Sequence, residues 1–558
     1  MYNISPAYPI EAGRIRAGYE SLATAIAGSG ARLIALDGFG GNDWTALQQG
    51  LAQQLNAHWV NTADYFLPED ELLKVIGPSL GGNDPLFGRL FEGGLPEFFN
   101  MENVATRDQG LTIVYGPGAA LFGQPDLLLY VDLPKDEIQA RARAKAITNL
   151  GAAAPADFGS MYKRFFFVDW PALNRHKAAL LPAIDWFVDG TDAANPIFVM
   201  GDHLRAALTE MAGSYFRVRP WFYPGPWGGQ YMKRNFPGLP QEVPNYAWSF
   251  ELIVPENGLV LESGEHRLEC SFDLLMFQHY KEVLGQAAER FVYNFPIRFD
   301  YLDTIEGGNL SVQCHPRRAY IKENFGEPFT QDESYYIVTC EPGAKVYLGF
   351  RDGLNQTQFR AELERSHREG TPIDADRYIN SVEAHPHDLF LIPGGTVHGA
   401  GAGNLVLEIS NTPYIYTFKM YDWVRRDLQG KLRPLNFDRA WANLDFDRQE
   451  QYVAEKLCPT PMAMRSGPGW QEVFVGTHPD LFFAVDRLEF TKPVAIETQG
   501  KCHILNLVEG EDVELLTQNG HTARFSFGET FVVPAAAGGY TLRPAHGNLC
   551  KVVKAYVK

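Results

Sequence analysis

The sequence predicts a multidomain chain: an N-terminal α/β domain on a mostly parallel sheet, then two β-rich domains of sandwich or barrel type. Three observations carry this. The chain has 558 residues, more than one ordinary core accommodates. Up to residue 215 apolar strands alternate with helical periodicity, and beyond it short strands with Gly and Pro turns dominate. The aromatic, Pro-rich run "YFRVRPWFYPGPWGGQY", Tyr215 to Tyr231, breaks the periodicity between the two regimes.

Taken in order, "ARLIALDGFGG" is an apolar strand running into glycines, and "DWTALQQGLAQQLNAH" after it carries helical spacing. "GLTIVYGPGAAL", "PDLLLYVDLP" and "AIDWFVDG" are further strands, while "KDEIQARARAKAITNLG" and "GDHLRAALTEMA" are helices. The middle region, 216–440, holds strands such as "DESYYIVTCEPGAKVYLGF" and "DLFLIPGGTVHGAGAGNLVLEIS", turned at Pro-Gly and Gly-Gly. "FDLLMFQHYKEVLGQAAERF" and "NQTQFRAELERSHREG" are predicted helices inserted among them. A helical connector, 441–469, leads to a third, β-rich region, 470–558, so the domains run 1–215, 216–440, 441–469 and 470–558.

The 67 acidic and 49 basic residues give a formal net charge of −18. That excludes the broad positive surface needed for sequence-independent binding to nucleic acid or acidic membranes. A phosphorylated small molecule stays compatible, because a pocket needs only a few local cations. The six cysteines (Cys270, Cys314, Cys340, Cys458, Cys502, Cys550) form no CxxC pair, so neither a disulfide framework nor a thiolate zinc site is expected. "MYNISPAYPIEAGRIRAGYE" shows no charged stretch followed by an apolar one, so a leader is not expected, and no apolar run reaches the roughly 18 residues of a membrane span. A soluble cytoplasmic protein is the expectation, with its oligomeric state open.

The chemistry concentrates in "NLSVQCHPRRAY", Asn309 to Tyr320. Its period-2 alternation predicts a strand on which Gln313 and His315 leave the same face, roughly 7 Å apart. Glu333 opens "ESYYIV" and His398 lies in "PGGTVHG", each at a strand–turn junction where a barrel has its mouth. Two imidazoles, a carboxylate and an amide oxygen suit Zn²⁺ with one position left open, and also admit Mn²⁺ or Fe²⁺. His385 and His387 in "EAHPHD" share the i, i+2 spacing and are rival ligands. The plain alternative is that such histidines are surface residues or hydrogen-bonded core residues.

"FPIRFDYLD", "GGNLSVQCHP", "ESYYIV", "FLIPGGTVHGAGAGNLVLEIS" and "MYDWVRRDLQGKLRPL" follow one another as in type I phosphomannose isomerases, with "WGGQY" and "WSFEL" upstream. Over 220–440 the chain resembles that family. The resemblance implies a zinc-dependent cupin, a jelly roll whose ligands are Gln313, His315, Glu333 and His398. It also implies a second cupin at 470–558, where His503 and His521 lack partners at ligand spacing. The implied reaction is aldose–ketose isomerisation of mannose 6-phosphate to fructose 6-phosphate, or of a related sugar. A base must carry a proton between two carbons, and Glu408 in "LEIS" is the candidate.

Several positions depart from the family. Its Lys-Thr before the ligand Glu is replaced by Gln331 and Asp332, and its Arg before Tyr-Asp by Lys419, which keeps the charge but loses the planar fork. Lys419 is therefore the second catalytic candidate. Arg317 and Arg318 stand where the family has acidic residues, with Lys322 close by, and are candidates for substrate binding. The alternative function is a non-catalytic sugar- or sugar-phosphate-binding regulatory protein that keeps the metal pocket.

"ARLIALDGFGGNDWTALQQGLAQQL" resembles a P-loop, and "PDLLLYVDLPKDEIQARARAK" resembles uridine-kinase-like nucleoside kinases. A working loop reads G-x-x-x-x-G-K-[ST]. Here, counting from Gly38, Asp43 replaces the second Gly and Trp44 the Lys, and only Thr45 survives. The resemblance implies a degenerate P-loop kinase-like domain without phosphoryl transfer, which argues against a kinase–isomerase fusion.

Overall fold

The computed structural model describes residues 1–101, 110–253, 256–426 and 432–558, so the stretch 427–431 of "MYDWVRRDLQGKLRPL" lies outside the described residues. Two compact units emerge. One comprises Met1–Ser5, Gly213–Val254 and Lys281–Lys558, the other Pro6–Ala212 and Pro255–Tyr280.

The second unit is built on a seven-stranded sheet. Its order is Ile15–Ala17, Ile197–Met200, Trp186–Asp189, Leu127–Asp132, Leu33–Gly38, Thr112–Tyr115, His58–Asn61. The last five pair in parallel and the first two are added antiparallel. Ile34, Leu36, Leu129, Val131, Val188 and Phe198 belong to one core and are all buried. Burying each such side chain contributes about 1.5–3 kcal/mol. Parallel strands covered on both faces need no polar alternation, which is why they read as unbroken apolar runs. Gly38 is required by a close approach: a Cβ there would meet the Val131 carbonyl oxygen at 2.3 Å. Asp43 caps the helix Trp44–Ala52 by accepting the Ala46 amide at 2.9 Å.

Residues 256–280, read from the sequence as part of the middle β-region, pack with the α/β unit instead. The hairpin of Gly258–Ser263 and His266–Ser271 is held there by buried charge. Asp132 accepts the Ser271 amide at 2.8 Å, Lys177 Nζ reaches Asp132 and Ser271 Oγ at 3.0 Å, and Lys135 pairs with Asp273. Two ammonium groups face two carboxylates away from water, and removing any one leaves an uncompensated charge. Partners as far apart as 139 residues leave no mark in a local pattern.

The first unit holds two β-sandwiches. In one, a six-stranded sheet runs Leu389–Ile392, Glu333–Cys340, Asn404–Asn411, Ile297–Asp303, Trp248–Leu252, Trp221–Tyr223. Its partner sheet runs Ile379–Glu383, Lys345–Phe350, His398–Ala400, Val312–Cys314, Phe418–Tyr421. The other sandwich pairs sheets of six and four strands, with Leu488, Leu505, Phe531, Leu542 and Val552 in its core. Strand Met462–Gly467, placed by the sequence reading in the connector, pairs with Trp470–Gly476 and so belongs to this second sandwich. The inserted helices appear as Asp273–Leu284, broken at His279 (φ −133°), and Gln356–Glu369, capped by Asn355.

Candidate metal centre

Strand pairing gathers residues that the sequence scatters. Gln313 lies opposite His398 on one neighbouring strand and opposite Lys419 on the other. Directly opposed residues share a face, so His398, Gln313 and Lys419 form a row across one sheet. On the six-stranded sheet, Ser410 lies between Glu333 and Arg298, and Glu408 lies between Tyr335 and Asp300. These two rows sit two residues apart and therefore share a face as well. The two faces meet at Glu333. Its Oε2 is 3.0 Å from His315 Nε2 and its Oε1 is 2.8 Å from His398 Nε2.

The backbone sets the protonation of both imidazoles. His315 Nδ1 is 3.0 Å from the Tyr416 carbonyl oxygen, and His398 Nδ1 is 2.9 Å from that of Thr396. A carbonyl only accepts, so each Nδ1 carries a proton and each ring turns its Nε2 inward. Both Nε2 atoms face a carboxylate, which only accepts. His315 Nε2 and both Glu333 oxygens are accordingly buried without a hydrogen-bond partner. These buried, unsatisfied polar atoms converge on one point, an arrangement that a bound cation satisfies. Their ligand atoms lie within 4.8 Å of one another, the single such His/Cys/Asp/Glu group among the described residues. Gln313 completes the set: its amide nitrogen is 3.3 Å from His398 Nε2, and a half-turn of the amide presents oxygen instead. The donor set fits a divalent cation.

Around this group lies a buried polar network. Arg298 pairs with Glu408, donates to Ser410 Oγ at 2.5 Å and stands 3.8 Å from Asp300. Burial, with Glu333 adding to it and Arg298 opposing, pushes Asp300 up to about 6. Burial, then Asp300 and Glu333, hold the Glu408 carboxyl well above the ordinary carboxylate range. Burial, together with Arg433 and Arg425, pushes Lys419 down to about 8. No hydrogen bond engages its Nζ among the described residues.

Other sequence candidates lie elsewhere. Arg317 donates to the carbonyls of Asn443 and Leu444, and Arg318 to that of Asp480, while Lys322 is exposed. Arg317 and Arg318 thus brace backbone segments. His385 is exposed near Asp388, and His387 sits between Tyr336 and Glu509, so neither rival joins the cluster. Asp332 accepts the Gly394 amide at 2.8 Å, tying the strand start at Glu333 to the turn before His398. Glu408 and Lys419, in contrast, do face the ligand group. Arg298, Asp300, Tyr335 and Ser410 join them from the six-stranded sheet without a motif of their own in the sequence. Their signal was present in "IRFDYLD", where charged Arg298 and Asp300 alternate with apolar residues in a buried strand.

The chain is similar to mannose-6-phosphate isomerases. It is 27% identical over 224 residues to mannose-6-phosphate isomerase ManA of Bacillus subtilis (strain 168), a match over 40% of this chain and 65% of that protein. With the mannose-6-phosphate isomerase of Streptococcus mutans serotype c the identity is 27% over 215 residues, 38% of this chain and 62% of that protein. The chain thus spans less than two thirds of the length of these two relatives. A putative mannose-6-phosphate isomerase of B. subtilis, YvyI, is 23% identical over 60% of this chain and 97% of its own length. Among solved structures, that of mannose 6-phosphate isomerase from B. subtilis aligns over 62% of this chain and 100% of that chain, with 20% identity and a TM-score of 0.49. Residues 18–213 match the model of a domain of unknown function, DUF8485.

Proposed function

We propose that the chain is a metal-dependent aldose–ketose isomerase acting on mannose 6-phosphate or a related sugar, with Gln313, His315, Glu333 and His398 holding one Zn²⁺. The observation that carries this is the pair of imidazoles, each fixed by a backbone carbonyl, that turn their Nε2 atoms onto the two oxygens of Glu333. A divalent cation bound there supplies Lewis-acid polarisation of substrate oxygens and stabilises the charge that develops when a proton leaves carbon; Mn²⁺ or Fe²⁺ serves the same donor set.

The chain's own residues supply the rest. Burial and two neighbouring carboxylates raise the proton affinity of Glu408, against the Arg298 guanidinium beside it. Facing the ligands, it is the group placed to give or take a proton inside the pocket. Lys419, in the row with Gln313 and His398, presents a cation to an anionic or oxygen-rich part of the substrate. Arg298 holds Glu408 in place, and the surrounding buried strands exclude water.

The experiment is metal analysis of the purified chain followed by a coupled isomerase assay on mannose 6-phosphate, with and without chelator. Stoichiometric metal and chelator-sensitive turnover are expected, and His315→Ala should abolish both. Failure to retain metal after zinc reconstitution would refute the site. Metal without turnover on a panel of aldose phosphates and free sugars would select the regulatory sugar-binding alternative.

A further inference from the structure

The α/β unit holds a cavity that the proposed reaction does not use. A cleft of about 760 Å³ opens beyond the carboxyl ends of the parallel strands. Gly40 and Gly41 follow Leu33–Gly38, and Asn61, Pro117 and Thr191 arrive from three other strand ends. Its position in the topology singles it out. From Leu33–Gly38 the chain goes to His58–Asn61 and Thr112–Tyr115 on one side, then to Leu127–Asp132 on the other. The strand order thus reverses beside the cleft, the place where open α/β sheets bind ligands.

The lining decides the ligand class. Asp43 already takes the Ala46 amide, a donor an anion would use, and puts a negative charge at that helix start. Arg141, the one basic residue on the lining among the described residues, directs its guanidinium at protein oxygens. It reaches Glu137 at 2.9 Å and the carbonyls of Gly41, Gly190 and Thr191 at 3.1, 3.1 and 2.8 Å. In contrast, the hydroxyls of Thr45 and Thr148, the Asn61 amide nitrogen and the second Asp43 oxygen have no hydrogen-bond partner among the described residues. Phe66 and Leu150 supply apolar wall. Neutral donors, a carboxylate with one uncommitted oxygen and apolar surface are present, and no uncommitted basic side chain lies on the lining among the described residues. We infer that the cleft binds an uncharged ligand with vicinal hydroxyls and a flat apolar face, chemistry shared by nucleosides and free sugars, and rejects their phosphates.

The test is calorimetric titration of the full chain with uridine, adenosine, mannose and fructose, and with a monophosphate of each. A member of one uncharged arm should bind, which names the source, and should exceed its monophosphate by about ten-fold or more, given the like charge at Asp43. Binding at the cleft should weaken about ten-fold or more in Ala194→Trp, which projects a bulky ring into it from an exposed wall position, with metal content unchanged. Thr148→Trp repeats the block from the opposite stretch of lining if the first variant folds poorly. Sugar held by the metal centre survives both variants, so only binding lost in them counts. Asp43→Asn keeps the helix cap, which asparagine serves equally, and should narrow the preference for the uncharged form. The inference is overturned if no uncharged ligand loses binding in the wall variants. It also fails if a monophosphate binds the wild-type cleft more tightly than its parent.

Discussion

Among single residues, burial decides the chemistry. Lys419 has its ammonium pushed down to about 8, so it is largely charged at neutral pH and loses its proton just above it. If it serves as the cation for substrate, kcat/KM should fall as pH rises through about 8. Lys419→Arg should hold that limb up to higher pH, because arginine stays charged, and Lys419→Met should lose about ten-fold or more at neutral pH. A pH–rate profile unchanged in Lys419→Arg refutes the role. Glu327 offers a stability counterpart. Burial pushes it up to about 7, against a hydrogen bond donated by Tyr416. Its folded value lies above its unfolded one, so its contribution is complete at low pH and is lost as pH rises through about 7. Wild type should lose on the order of 3 kcal/mol relative to Glu327→Gln between pH 4.5 and 7, read by urea unfolding across a pH series.

Strand register turns scattered residues into a site. Gln313 and His315 announce themselves by i, i+2 spacing, but their meeting with Glu333 and His398 depends on two sheets facing each other. The loop after that strand shows how proximity in sequence misleads. Arg317 is two residues from His315, yet its guanidinium is engaged by the carbonyls of Asn443 and Leu444, at the end of the helix Phe437–Asn443. Arg317→Ala should cost about 1–2 kcal/mol in stability and leave KM for sugar phosphate unchanged. A ten-fold rise in KM at unchanged stability would instead restore its role in substrate binding. The cluster of His315, Glu333 and His398 was legible because it rests on short local motifs. The Arg298–Glu408–Asp300 network was not, because its partners come from strands 110 residues apart.

Across the whole molecule the division into units follows buried charge as much as chain order. Lys177, fully buried, bonds Asp132 and Ser271 and so attaches the 256–280 segment to the α/β unit. Lys177→Met leaves Asp132 a buried carboxylate short of its cation and should destabilise that unit by about 3–5 kcal/mol. Hydrogen exchange should report the loss in residues 6–212 and 256–280, with the metal content of the other unit intact. Equal loss of protection around His315 and His398 would contradict the two-unit description.

The sequence by itself determined the alternation of strands and helices in the first 215 residues, the β-rich character of the rest and the four candidate ligands. Each of these is written in local periodicity, turn residues or short motifs, and such signals survive without knowledge of the fold. Only the tertiary structure decided that 256–280 belongs with the α/β unit, that Lys419 and Glu408 face the ligands, and that the adjacent arginines do not join them. Those outcomes depend on which strands pair and in what register. Hydrogen-bond geometry and the avoidance of unpaired buried charge settle that only once the chain has closed on itself.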